Sequence, residues 1–370
     1  MSVIVSNMFK ISLLVLAAIF HVIAGVPYLS HHQYLRETQT APSQLLKAFG
    51  LSSPGVRRWH SEPPQYMLDL YSEVADINGV SRGQPAPYGA QVIRAFNENE
   101  APEDNSFTFE LNGLDEQENL IEAELRVYHN RLDKFHRDKL VDSVYKLEVY
   151  AENGVESSLV DIQYVSAHGS GWRLFRVGSA LLRDQVLSST VSFTIVATNM
   201  AGDPLPIHLH HEGTRQSLLV LFNTNDGTIT PKITKEAWKK KGHESSSMNR
   251  VRRSVEEANE PISPVSGCER QDMYVDFESI GWSDWIVYPK GYNAYHCSGM
   301  CEFPLGQDQN PTNHATVQSI IHHSGDFPQV QRPCCTPSQY ANLSLLYYDS
   351  DENVVLKLYD QMVAVECGCH

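Results

Sequence analysis

Seven thiols are the residues of this chain best equipped for chemistry: Cys268, Cys297, Cys301, Cys334, Cys335, Cys367 and Cys369. Cysteine can pair, hold zinc or act as a nucleophile. Zinc is the poorer fit, because no Cys-x2-Cys pair is present and the N-terminus points to an oxidising compartment where thiols pair. An odd number of cysteines predicts one bond between chains. Cys334 and Cys335 are adjacent, too close for the usual Cα separation of about 4.4–6.8 Å across a disulfide, so they serve different partners. Cys297-Ser-Gly-Met-Cys301 and Cys367-Gly-Cys369 each bring two thiols together on a short segment. Were Cys297 joined to Cys367 and Cys301 to Cys369, an eight-residue ring would close. Gly299 would leave that ring open for a third bond from Cys268 to thread, and one of Cys334 and Cys335 would remain for a second chain.

Other chemistry is thinly represented. His208-Leu-His210-His211-Glu212 lacks the His-Glu-x-x-His spacing of a zinc hydrolase and reads as solvated histidines. Neither a Gly-x-Ser-x-Gly elbow nor a phosphate loop occurs, so no enzyme, cofactor or metal is expected. The formal charge is −15, with 44 Asp plus Glu against 29 Lys plus Arg, which argues against a nucleic-acid partner.

The elements that must position the cysteines follow from composition along the 370 residues. All seven cysteines fall after residue 267, and from Ser254 onward four basic residues face sixteen acidic ones. At the start, the apolar run 11–25 ends in Ala24-Gly25 and is broken by His21, the length of a signal peptide rather than a membrane span. Residues 1–25 are therefore expected to direct secretion to the extracellular space, with no membrane insertion. Leu45, Leu46, Phe49 and Leu51 suggest an amphipathic turn or two. Pro63-Pro64 precedes a better-marked helix with Met67, Leu70, Tyr71 and Val74 on one face. From 107 to 233 the pattern is mostly strand, as in Phe107-Thr-Phe109-Glu-Leu111 and Val191-Ser-Phe193-Thr-Ile195, giving an α+β domain held by apolar burial without disulfides. Apolar content then collapses into a polar linker. Within it, Arg250-Val251-Arg252-Arg253 has the Arg-x-x-Arg spacing that the acidic cleft of a proprotein convertase reads. Cleavage between Arg253 and Ser254 would separate a prodomain, 26–253, from a mature domain, 254–370; Arg57-Arg58 lacks the upstream arginine and reads as solvated.

The cleavage spacing, Cys-x3-Cys with a central glycine, Cys-Cys and a terminal Cys-x-Cys resemble a transforming growth factor β superfamily precursor. Tyr274-Val-Asp-Phe277, Gly281-Trp282, Trp285, Asn313-His-Ala315 and Val354-Val-Leu-Lys357 are similar to its bone morphogenetic protein branch. In the prodomain the likeness rests on Tyr66-Met-Leu-Asp-Leu-Tyr71 and Ala123-Glu-Leu-Arg126. This resemblance implies that Cys268 pairs with Cys335 in a cystine knot and that Cys334 links two copies. The mature segment itself reads as a small disulfide-rich β domain with two β-hairpin fingers and one helix. Segment 273–278 should pair with 285–288, and 343–348 with 354–365 around the turn 349–353, while 313–322 forms a helix stopped at Gly325.

By the same resemblance the secreted homodimer, or a heterodimer with a related ligand, assembles type I and type II serine/threonine kinase receptors. It activates SMAD signalling, patterns the embryonic dorsoventral axis, and meets its own prodomain and secreted antagonists. Trp282 and Trp285, with Phe303, Pro304, Leu305, Val317 and Ile321, would form the concave type I surface. Val287, Ser344 and Leu346 would meet the type II receptor. So thin a domain is expected to lack a core that could hide both tryptophans, leaving them as interface anchors. Asn342-Leu-Ser344 is the single unblocked glycosylation sequon, since Pro311 blocks the one at Asn310. The competing class is a secreted cystine-knot antagonist, against which the convertase site and the large cysteine-free propiece weigh.

Overall fold

A computed structural model describes residues 46, 49, 51, 62–99, 105–114, 118–140, 143–152, 157–178, 190–209, 213–225 and 267–370. The signal segment and Arg250, Arg252, Arg253 and Ser254 lie outside the described residues. The chain divides into Met1–Leu51 and Ser52–His370. In the first unit Leu46 and Phe49 are helical, where the apolar spacing expects a turn. No helix among the described residues is long and apolar enough to cross a membrane.

In the second unit, Pro64 caps helix α1 (Gln65–Val74), and the four apolar residues of its expected face, Met67, Leu70, Tyr71 and Val74, are all buried. Eight strands follow among the described residues: β1 (Val92–Asn97), β2 (Ser106–Glu110), β3 (Glu118–His129), β4 (Val144–Glu152), β5 (Ser157–Ser166), β6 (Gly171–Arg176), β7 (Thr190–Thr198) and β8 (Leu218–Asn225). Period-two alternation drives their stacking. In β7, Val191, Phe193, Ile195 and Ala197 point inward, and in β4 Tyr145, Leu147, Val149 and Ala151 do the same. These belong to the antiparallel sheet β2-β7-β4-β5, which packs through one continuous apolar core against Leu125, Val127, Phe175, Leu219 and Leu221 of β3, β6 and β8. The prodomain thus has the α+β, disulfide-free core that its composition requires.

The cysteine-bearing segment adds β9 (Glu269–Gln271), β10 (Tyr274–Asp276), β11 (Ile286–Tyr288), β12 (Gly291–Asn293), β13 (His296–Ser298), helix α2 (Asn313–Ser324), β14 (Cys335–Tyr348) and β15 (Val354–Cys369). Helix α2 starts where Thr312 accepts a hydrogen bond from the Ala315 amide at 3.1 Å and stops at Gly325, φ 75°. The long hairpin β14–β15 turns at 349–353 as the sequence expects. The first finger differs. Segment 274–276 pairs with Gly291–Asn293, while Ile286–Tyr288 pairs across to β14. Residues between β10 and β11 fold inward around Trp282 instead of running straight to a tight turn, so the return strand is displaced toward the C-terminus.

One sheet joins the two domains. Its order is β11-β14-β15-β1-β8-β3-β6: prodomain strand β1 lies between the finger strand β15 and prodomain strand β8.

Candidate functional site: the knotted finger pair

Strand register brings the cysteines together. Pairing of β14 with β15 sets Cys335 opposite Cys369 and Pro337 opposite Cys367, and pairing of β13 with β9 sets Cys297 opposite Arg270. Bonds Cys297–Cys367 and Cys301–Cys369, with Cα separations of 5.6 and 5.8 Å, close the ring. Cys268–Cys335, at 5.3 Å, completes the set. The Sγ atoms of Cys268, Cys301 and Cys369 lie within 4.8 Å of one another, so the third bond runs immediately beside the ring. All three are consumed in disulfides, which leaves no thiolate there for zinc. Gly299, in the ring, has φ 119°, a conformation that side chains avoid. Cys334 is free and exposed.

Trp282 and Trp285 are buried, with 3% and 6% of their surface exposed, which corrects the expectation that the domain has no core to hide both. An aromatic cluster supplies that core. Phe277 stacks on Trp282 with centroids 5.9 Å apart, Trp282 tilts against Trp285 at 5.4 Å, and Trp285 meets Tyr347 edge-on at 5.8 Å. Tyr292 joins at 6.0 Å from Phe277, and its burial pushes the phenol up to about 12. Tyr347 is shifted upward for the same reason. A flat finger therefore builds a core from stacked, tilted and edge-on rings, contacts worth roughly 0.5–1.5 kcal/mol per pair beyond area burial. The remaining residues of the concave set stay accessible: Phe303, Pro304 and Val317 are exposed, and Leu305 and Ile321 are half-buried. Phe303 stacks on His323 of α2 with centroids 4.2 Å apart.

Of the three residues expected to meet the type II receptor, Val287 is half-buried and Ser344 and Leu346 are buried, and the prodomain packs over Val287 and Leu346. Leu346 and Val287 belong to the apolar cluster formed with Met67, Leu70, Tyr71 and Val74 of α1. Tyr71 also stacks on Tyr288, centroids 5.7 Å apart. Beyond α1, the Ser344 amide donates to the Gly79 carbonyl at 2.8 Å and the Ser81 amide donates to the Asn342 carbonyl at 2.9 Å. Gly79 sits at φ 80°, and a Cβ there would come within 2.7 Å of Pro289, so only glycine lets this loop close on the finger. Farther along, β1 pairs with β15 from Val92↔Lys357 to Ala95↔Val354. Arg94 donates through Nη1 to Asp349 Oδ2 at 2.6 Å and through Nη2 to Glu118 Oε1 at 3.2 Å.

Comparison with known proteins accords with this arrangement. Residues 267–369 match the family model described as transforming growth factor beta like domain, and residues 29–214 match TGF-beta propeptide. The chain belongs to the transforming growth factor beta family. It is similar to bone morphogenetic protein 4 of Oryctolagus cuniculus and of Bos taurus, each 29% identical over 91% of this chain and 88% of the relative. It is thus a growth factor precursor of the bone morphogenetic protein branch, a signalling ligand and not an enzyme. In the segment 208–212, His208 lies exposed in irregular chain, and 210–212 fall outside the described residues.

Arg94 and Gly79, which hold the prodomain to the finger, stand outside the residues that the sequence marks as functional. Two signals were available: Arg94 is a lone cation inside the apolar strand Val92-Ile-Arg-Ala-Phe96, and Asn78-Gly79 is a turn dipeptide. Neither says what the strand or turn touches.

Proposed function

We propose that this chain is a secreted precursor whose cut after Arg253 yields a Cys334-linked dimer, and that the dimer assembles type I and type II serine/threonine kinase receptors to activate SMAD signalling. The observation that carries this reading is the cover on Val287 and Leu346, an apolar surface packed under α1, and on Ser344, whose amide is bonded to Gly79; these become available only when the prodomain leaves. Such a surface suits recognition and offers no group for bond making. The concave half of the reading draws on Phe303, Pro304, Leu305, Val317 and Ile321. Trp282 and Trp285 act there by holding the finger in shape from beneath. The homodimer or a heterodimer with a related ligand, the prodomain, secreted antagonists and the convertase are its partners. The runs Pro311-Thr-Asn-His-Ala-Thr-Val-Gln-Ser-Ile-Ile321 and Asp351-Glu-Asn-Val-Val-Leu356 and the final His370 resemble anti-dorsalizing morphogenetic protein, from which comes a role in embryonic dorsoventral patterning.

The test is a SMAD reporter assay in receptor-bearing cells, comparing processed dimer with an Arg253→Ala precursor. Processed dimer should raise the reporter, and the variant should remain uncut and inactive, because the last arginine of the site fills a carboxylate pocket of the protease. Processing of Arg253→Ala as in wild type would move the cleavage boundary. A dimer that leaves the reporter silent and lowers the response to an added ligand would make the protein an antagonist.

A further inference from the structure

Main-chain pairing between β1 and β15 is blind to side chains, so by itself it would let this prodomain grip many finger edges. Arg94 is different. Its side chain is 6% exposed, and its two carboxylate partners come from opposite sides of the cleavage boundary: Glu118, 4% exposed, from the prodomain and Asp349, 12% exposed, from the finger turn. A charge so thoroughly removed from water is tolerated only when paired and hydrogen-bonded. The prodomain pre-sets half of the pair. Glu118 accepts from Arg94 on one oxygen and from Asn223 Nδ2, at 2.8 Å, on the other. That leaves Nη1 of Arg94 directed at the incoming finger tip, where Asp349 Oδ2 receives it. The tip is held in shape to do so, since Asp349 Oδ1 accepts from the amides of Asp351 and Asn353 at 2.9 and 3.0 Å. Asn353 Nδ2 then donates to the Asn112 carbonyl of the prodomain at 3.1 Å.

We propose that Arg94 is the specificity-determining contact by which the cleaved prodomain selects and retains its own growth factor domain. The partner it fits is a finger tip presenting one carboxylate at the position of Asp349, backed by an amide at that of Asn353. Nε of Arg94 is already buried without an acceptor among the described residues, so a tip lacking the carboxylate leaves a second donor of the fork unmet, and a tip with a cation there is rejected outright. The proposal rests on the reading that the prodomain and mature domain become separate chains, and its test does not depend on the convertase.

In the full chain, a site-specific protease sequence replaces residues 250–253, and the secreted protein is cut in vitro. A denaturing gel reports the cut, and gel filtration with dissociation kinetics reports retention. All three disulfides lie within the mature domain, so retention is non-covalent. Wild-type prodomain should co-elute with the dimer. Asp349→Asn and Arg94→Met should each dissociate roughly a hundredfold faster, the scale of breaking one partner of a buried pair. Asp351→Asn, which removes a carboxylate one loop step away, should stay within a fewfold of wild type. Because Asp349→Asn alters only the finger turn, it tests the contact even if Arg94→Met misfolds the prodomain. Co-elution of Asp349→Asn with wild-type kinetics, or equal loss with Asp351→Asn, would overturn the assignment. Failure of the convertase reading instead shows as a natural precursor that stays uncut, whatever these variants do.

Discussion

Cys334 stands exposed while its neighbour Cys335 is bonded inside the knot, a difference set by strand register and not by chemistry. Cys335 opens β14 opposite Cys369, and Cys334 continues the pairing by exchanging backbone hydrogen bonds with His370 at 2.9 Å, so the two neighbours fall on opposite faces of the strand. Cys334→Ser should therefore preserve the three internal bonds while abolishing the covalent dimer on non-reducing gels; a dimer that survives would remove Cys334 as the bridge. Asn342 carries the second residue-scale expectation. Its Oδ1 accepts from the Gln361 amide at 3.2 Å, its carbonyl is taken by Ser81, and Ser344 of the same sequon is buried under the prodomain. Glycan addition has to precede this closure. Deglycosylase treatment should increase the mobility of secreted wild-type protein and leave Asn342→Gln unchanged, and an unshifted wild type would mean the finger folds before the sequon is used.

Among elements, β1 does much with few residues, since all six from Val92 to Asn97 pair with prodomain β8 and four of them, Val92 to Ala95, also pair with finger β15. Helix α2 is the opposite case: Val317 and Ile320 remain 55% and 52% exposed in the single chain, and Val317 belongs to the proposed type I receptor surface. Strand β3 carries an acid sensitivity. At its end His129 is 1% exposed, and its Nε2 has no hydrogen-bond partner among the described residues. Burial holds the imidazole below its usual value of 6.5, prevailing over the hydrogen bond to the Asn130 carbonyl, and Arg173 on the adjoining strand adds a smaller push in the same direction as burial. The folded prodomain thus binds this proton less readily than the unfolded chain, so the stabilisation is complete above about pH 6.5 and is lost as pH falls below it. The denaturation midpoint of the precursor should drop more steeply between about pH 7 and 5 in wild type than in His129→Gln. Parallel slopes would assign the acid response to other groups.

For the whole molecule, charge is distributed as unevenly as cysteine. From Ser254 the mature segment has four basic and sixteen acidic residues, and residues 254–267, ahead of the first cysteine, hold three acids and no base. Counterion release from a sulfated chain needs cations, and an acidic dimer is repelled over a Debye length of about 8 Å at physiological salt. The mature dimer should elute from heparin resin at physiological salt, with uncut precursor held longer through Lys239-Lys-Lys241. Retention of the mature dimer beyond roughly 0.3 M salt would show a cationic surface that net charge conceals.

The domain chemistry was legible in the residues themselves because it is local: cysteine spacing restricts the ring, the Met67–Val74 periodicity marks the buried face of α1, and Thr312 with Gly325 brackets α2. Arrangement was not. A strand edge offers the same backbone donors and acceptors to any partner, so nothing in Val92-Ile-Arg-Ala-Phe96 could announce that β1 would join a finger more than 250 residues away. Likewise, tryptophans three residues apart look like exposed anchors until Phe277, Tyr292 and Tyr347 are known to close around them. Burial depends on what the rest of the chain brings alongside, and only the tertiary structure decides that.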